Sequence, residues 1–188
     1  MDTLVTKEKH SDFDIEIHFD ECPESPREWD NLGHIVYWSD RYNLGDERIY
    51  DVDEFLKEHK DDIVLKVYAY IHSGIALRTA PFDCLPAFHA QFDSGHSGFI
   101  YVSKEDVLKE YGNLSDETIE RVKNCLQGEI ETFSKYLNGE VYGFIIKIGE
   151  NIIDSCWGFD DYDYCLSEAR SIAKFETMEK IRETHNVI

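Results

Sequence analysis

Phe13, Ile15 and Ile17 alternate with Asp14, Glu16 and His18, and this period of two predicts a half-buried strand. Residues 1–12 show no comparable pattern and are expected to form a flexible tail. Two prolines in Cys22-Pro23-Glu24-Ser25-Pro26 predict a loop, His34 to Trp38 a second strand, and Tyr42 to Asp46 a turn. Asp51 is placed to cap a short helix through Glu58, with Val52, Phe55 and Leu56 on one face. Ile63 to Ile71 and Gly74 to Thr79 read as a hairpin, residues 80–98 as irregular, and Phe99 to Val102 as a short apolar strand. Ser103, with Asp106 three residues on, opens another helix. Ser115 caps a longer one, whose stripe of Ile119, Val122, Leu126, Ile130, Phe133 and Leu137 steps by three or four and stops at Asn138-Gly139. Val141 to Ile148 and Ile152 to Trp157 are strands, Trp157 being expected in or near the core, and a last helix runs from Tyr162 to Thr184. Short hairpin links dominate this order. The pattern therefore predicts a single α+β domain over residues 13–188, with a mainly antiparallel sheet and three to four packed helices.

Charge changes the picture more than composition does. Of 188 residues, 42% are hydrophobic, enough for a core, but 39 Asp and Glu against 19 Lys and Arg leave a net charge of −20. Such a chain repels phosphate, so direct nucleic-acid binding through a basic surface is excluded. No apolar run is long enough to span a membrane, and the first residues lack the pattern of a secretory signal, which predicts a cytoplasmic protein. Five cysteines (Cys22, Cys84, Cys125, Cys156 and Cys165) at irregular spacing read as reduced thiols, with Cys125 as a small core residue.

The acid is uneven. Residues 1–62 carry 7 basic and 19 acidic side chains, net −12, whereas residues 63–112 are close to neutral. Two explanations compete: a solvated surface that keeps the protein soluble, and carboxylates that imitate the phosphates of a nucleic acid. On the second, the candidate partner-binding residues are Asp20, Glu21, Glu24, Glu28 and Asp30 together with Asp46, Glu47, Asp51, Asp53 and Glu54.

The irregular stretch from Pro81 to Gly98 offers an alternative site, holding Cys84, His89, Asp93 and His96. A metal centre on Cys84, His89 and His96, with His72 across the hairpin as a fourth ligand, has C-x4-H and H-x6-H spacings that match no standard zinc knuckle, so no metal or other cofactor is expected. Gly95-His96-Ser97-Gly98 departs from the nucleophile elbow, because residue 99 is Phe and a strand follows. Phe92-Asp93-Ser94-Gly95 is similar to the aspartic-protease turn, but it occurs once, and a carboxylate pair needs two. A glycine-rich turn is the simpler account.

Several longer motifs carry a resemblance. Ser25-Pro26-Arg27-Glu28-Trp29-Asp30-Asn31-Leu32-Gly33, Arg41-Tyr42-Asn43-Leu44-Gly45-Asp46, His72-Ser73-Gly74-Ile75, the run Phe92 to Glu105, Lys109-Glu110-Tyr111-Gly112, Gly139-Glu140-Val141-Tyr142-Gly143 and Asp154-Ser155-Cys156-Trp157-Gly158-Phe159 resemble a family of small proteins encoded by phages and mobile elements. The resemblance spans about residues 13–170 and implies a phage context with no catalytic residues. Joined to the charge, it leads to the expectation of a phage-encoded inhibitor of a host defence nuclease, of anti-CRISPR or antirestriction type. Such an inhibitor acts in the host cytoplasm as a DNA mimic, and its partner is a basic nucleic-acid-binding protein. The alternative is an enzyme or ligand-binding protein using the 81–98 stretch.

Overall fold

A computed structural model describes residues 3–82 and 93–186, with side chains described as far as residue 179. In chain order the elements are β1 (Leu4–His10), β2 (Phe13–Phe19), β3 (His34–Tyr37), β4 (Glu47–Arg48), α1 (Val52–Glu58), β5 (Ile63–Ile71), β6 (Ile75–Arg78), β7 (Ser94–Val102), α2 (Lys104–Tyr111), α3 (Asp116–Leu137), β8 (Tyr142–Ile148), β9 (Asn151–Phe159) and α4 (Tyr162–Asn186). The fold class is α+β, with two mostly antiparallel sheets. Where one domain was expected, the chain folds as two compact units: Ser25–Asn138 is one, and Met1–Glu24 with Gly139–Ile188 is the other. Among the described residues no helix is long and apolar enough to cross a membrane.

The discontinuous unit is a four-stranded antiparallel sheet in the order β1-β2-β8-β9. The period of two in β2 sends Phe13, Ile15 and Ile17 to one face, where they meet Phe144 and Ile146 of β8 and Cys165, Leu166, Ala169 and Ala173 of α4. The opposite face carries charge. Glu16 is 8% exposed and accepts from Lys7 Nζ at 2.9 Å and Lys147 Nζ at 2.5 Å, one lysine from each flanking strand. Residues 4–10, expected in a flexible tail, form β1 instead. Leu4 and Val5 are exposed and the rest of the strand is polar, so pairing with β2 rather than burial holds it in place.

The continuous unit is a five-stranded sheet in the order β4-β3-β7-β5-β6, in which only the short β3–β4 pair is parallel. The α3 stripe falls where its spacing puts it: Val122, Leu126, Ile130 and Phe133 are buried against Ile35, Val67, Leu77 and Ile100. Ser115 caps the helix by accepting from Thr118 N at 3.2 Å, and Gly139 follows the end at φ +73°. The other face holds a smaller cluster of Val36, Phe55 and Phe99 under α1. β7 begins at Ser94, so part of the stretch expected to be irregular is ladder. Gly98 makes this possible, since a Cβ there would lie 2.3 Å from the Val36 carbonyl of β3.

Candidate functional site: an acidic groove and a histidine cavity

α1 is short and depends on its cap and one anchor. Asp51 accepts from Glu54 N at 2.9 Å, and Phe55 stacks on Phe99 with centroids 5.2 Å apart. Leu56, expected on the buried face with Phe55, is 43% exposed. With Phe55 turned inward, Asp51, Glu54 and Glu58 turn toward the strand edge, where Glu47 of β4 joins them. Together these four carboxylates line an open groove of about 410 Å³ whose other walls include Arg48, His59 and Tyr101. Burial, with the negative charges of Glu47, Asp62 and Asp46, pushes the Tyr101 phenol up. Arg48 does not neutralise the groove on its own account, because its guanidinium also bonds Asp40 and lies over the Tyr50 ring at 4.9 Å.

The ten predicted carboxylates do not form one set. Asp20, Glu21 and Glu24 belong to the discontinuous unit, where Asp20 Oδ1 accepts from Cys22 N at 3.0 Å and Glu21 and Glu24 are exposed. The other seven belong to the continuous unit. Glu28, Asp30 and Asp53 are exposed, and Glu47, Asp51 and Glu54 line the groove. Asp46 has a different job. Its backbone is at the surface, but its side chain is only 15% exposed and receives Arg27 Nε at 2.9 Å, Arg27 Nη2 at 2.8 Å and Ile35 N at 2.7 Å. Burial pushes the Asp46 carboxyl up, and these donors more than offset it, leaving it below its ordinary value. Arg27 also donates to Glu129 at 3.0 Å and to the Gly33 carbonyl at 2.7 Å, while Glu129 accepts from the Leu32 and Gly33 amides. This network ties the 26–33 loop and the 44–46 turn to α3. Sequence reasoning missed it because the members lie as far as 102 residues apart. Glu58 belongs to the same acidic stretch of the sequence but was left out of the ten candidates, and the structure brings it to the groove.

Of the alternative set, Cys84 and His89 lie outside the described residues. Asp93 and His96 line a cavity of about 430 Å³ with Trp38, Arg41, Tyr42 and His72. His96 Nε2 donates to the Gly98 carbonyl at 3.0 Å, and its ring is walled by Trp38 and Phe99, each 4.8 Å away, and by Tyr68 at 5.5 Å. Burial pushes His96 below its ordinary value, which favours the uncharged ring. Ser97, the candidate nucleophile, donates to the Val67 carbonyl at 3.3 Å. Its hydroxyl is engaged by backbone rather than by a base. Among the described residues no group of three or more His, Cys, Asp or Glu is arranged to hold a metal ion. Cys125, expected in the core, is half-buried, with its thiol pushed up by burial and by Glu129. Both effects oppose a thiolate. Set side by side, both are open depressions: the groove offers four carboxylates, and the other a histidine ringed by aromatic side chains. Comparison of the chain with protein-family models, with curated proteins and with solved structures found no match.

Proposed function

We propose that the chain binds a basic nucleic-acid-handling protein, its carboxylates taking the place of nucleic-acid phosphates. In the phage setting implied by the resemblance, this makes it an inhibitor of a host defence nuclease of CRISPR or restriction type. The observation that supports the reading is the groove beside α1, where Glu47, Asp51, Glu54 and Glu58 converge on one opening. A guanidinium or ammonium entering it meets carboxylates at the rim and Tyr101 and Phe55 in the wall. The net charge of −20 steers a basic partner from a distance, which makes association fast and strongly salt-dependent.

The test uses purified CRISPR effector and restriction endonuclease, with DNA cleavage and binding of the chain as the two readouts. Glu47→Lys, Glu54→Lys and Glu58→Lys with Asp53→Asn alter exposed carboxylates and leave the Asp51 cap and the Asp46 network intact. The combined variant is expected to keep its fold and to lose at least tenfold in affinity, and half-molar salt is expected to do the same to the unaltered chain. Binding that survives both the variant and the salt would sink the reading.

A further inference from the structure

The discontinuous unit ends its sheet on a strand unlike the rest of the chain. β9 is one of the two sheet edges, and of its nine residues all but Phe159 are exposed. Ile152 is 61% exposed, Trp157 45% and Ile153 41%. In a protein with 31% charged residues, this run of nine has one charge, Asp154. Charge depletion with exposed Trp and Ile is the composition of an interface core, and a long apolar edge is the feature proteins usually protect. The strand ends are different: Glu150 precedes it, and Asp160, Asp161 and Asp163 follow it. The edge therefore carries exposed Ile152, Ile153 and Trp157 with a single charge along its length, and is flanked by acid at both ends.

We propose that β9 is a strand-addition site for an extended segment of the basic partner, apolar at alternate inner positions and carrying Lys or Arg at its ends. Only the choice of a basic occupant rests on the function proposed above. The acidic ends argue against a second copy of this chain, which would bring the same carboxylates to the same edge. Backbone hydrogen bonds supply register and side-chain pockets supply selection, the usual division in strand addition. From Asp154 to Trp157 the pairing with β8 runs unbroken between two bulges, and this fixes where a partner strand fits. Ser155 N is already held by its neighbour Asp154 Oδ1 at 2.8 Å, so addition exchanges one hydrogen bond for another. The selective contacts then come from Ile152 and Trp157. Trp157 is pre-positioned, lying over the backbone of Gly143, where an added Cβ would sit 2.2 Å from the ring.

The probe is a fluorescent octapeptide, Lys-Arg-Val-Thr-Ile-Thr-Lys-Arg, mixed with the full chain and followed by anisotropy and backbone hydrogen exchange. Binding is expected to slow amide exchange within Asn151–Phe159 at least tenfold. A peptide with proline at two inner positions, and one with Glu in place of Lys and Arg, are each expected to bind at least tenfold more weakly. Ile152→Thr, and separately Ser155→Pro, which blocks the outer edge, should reduce binding at least fivefold while circular dichroism shows the fold retained. If the proline peptide binds equally well, if protection falls only on the α1 groove, or if β9 is protected without peptide in a sedimenting dimer, the proposal is overturned. The groove variant of the preceding test is expected to bind the octapeptide as the unaltered chain does. Nuclease binding that survives the groove variant and half-molar salt therefore refutes the proposed function alone, and absence of β9 protection refutes strand addition alone.

Discussion

Glu16 shows what a single residue can gain from its neighbours on adjacent strands. Hydrogen bonds from Lys147 and Lys7 outweigh the cost of burial and hold its carboxyl down at about 2, against an ordinary 4.5. A folded-state value below the unfolded one means that the stabilisation is fully present above pH 4.5. It is lost as the pH falls from there toward 2, where the carboxyl takes up its proton. The urea midpoint is therefore expected to fall between pH 5 and pH 2.5, and to fall less for Glu16→Gln, whose side chain has no proton to take up. Parallel pH curves for the two proteins would contradict this assignment. Glu8, paired with Arg170 at 2.6 Å, and Asp46 are lowered in the same direction and add to the slope in both proteins. None of these pairs was legible in the sequence. Which lysine faces Glu16 depends on the register of β1, a strand whose polar residues gave no period to read. The Arg27 network depends on three separate segments meeting.

Helices were the most readable elements, because their signals are local. The caps Asp51, Ser103 and Ser115 were each identifiable from a side chain that accepts from an amide three residues on. For α3 the cap has further support: Thr118 Oγ1 donates to Asn113 Oδ1 at 2.6 Å, and Asn113 Oδ1 also accepts from Ser115 N at 3.0 Å. Ser115→Ala is expected to cost about 1 kcal/mol and Leu126→Ala, at the centre of the stripe, about 2–5 kcal/mol. Urea unfolding measures both, and a cap variant more damaging than the core variant would show that the stripe does not carry α3. Strands were harder. Alternation located β2, but it cannot say whether a strand lies at the centre or the edge of a sheet. Trp157 was expected in or near the core, and it is 45% exposed because β9 is an edge. The two-residue β4 is too short to have a period at all.

At the scale of the whole molecule, the two units were invisible in the sequence because no linker marks their junctions. Glu24 to Ser25 lies within a proline loop, and Asn138 to Gly139 reads as an ordinary helix stop. Each unit encloses its own hydrophobic cluster, and the first and last segments of the chain meet in one sheet. The charge, by contrast, was fully legible and is shared by both: 12 basic against 21 acidic side chains in residues 25–138, and 7 against 18 in the remainder, give −9 and −11. Like charges confined to one compact unit repel, and the unfolded chain relieves that repulsion by expanding. Salt acts on two opposing quantities here. It screens the favourable ion pairs of Lys7, Arg170 and Lys123, which are 40–53% exposed and so worth little each. It also screens the repulsion among 39 carboxylates that outnumber the available cations by 20. The second quantity is the larger, because these pairs are solvated while each unit carries a large excess of carboxylates. Raising sodium chloride from 10 mM to 150 mM at pH 7 shortens the screening length from about 30 Å to about 8 Å. Over that range the melting temperature is expected to rise, by several degrees in a calorimetric scan. A rise confined to pH 7 and absent at pH 4.5, where the net charge is close to zero, identifies self-repulsion as the cause. A fall at pH 7 would mean that the ion pairs, not the excess carboxylates, govern the electrostatics of this molecule.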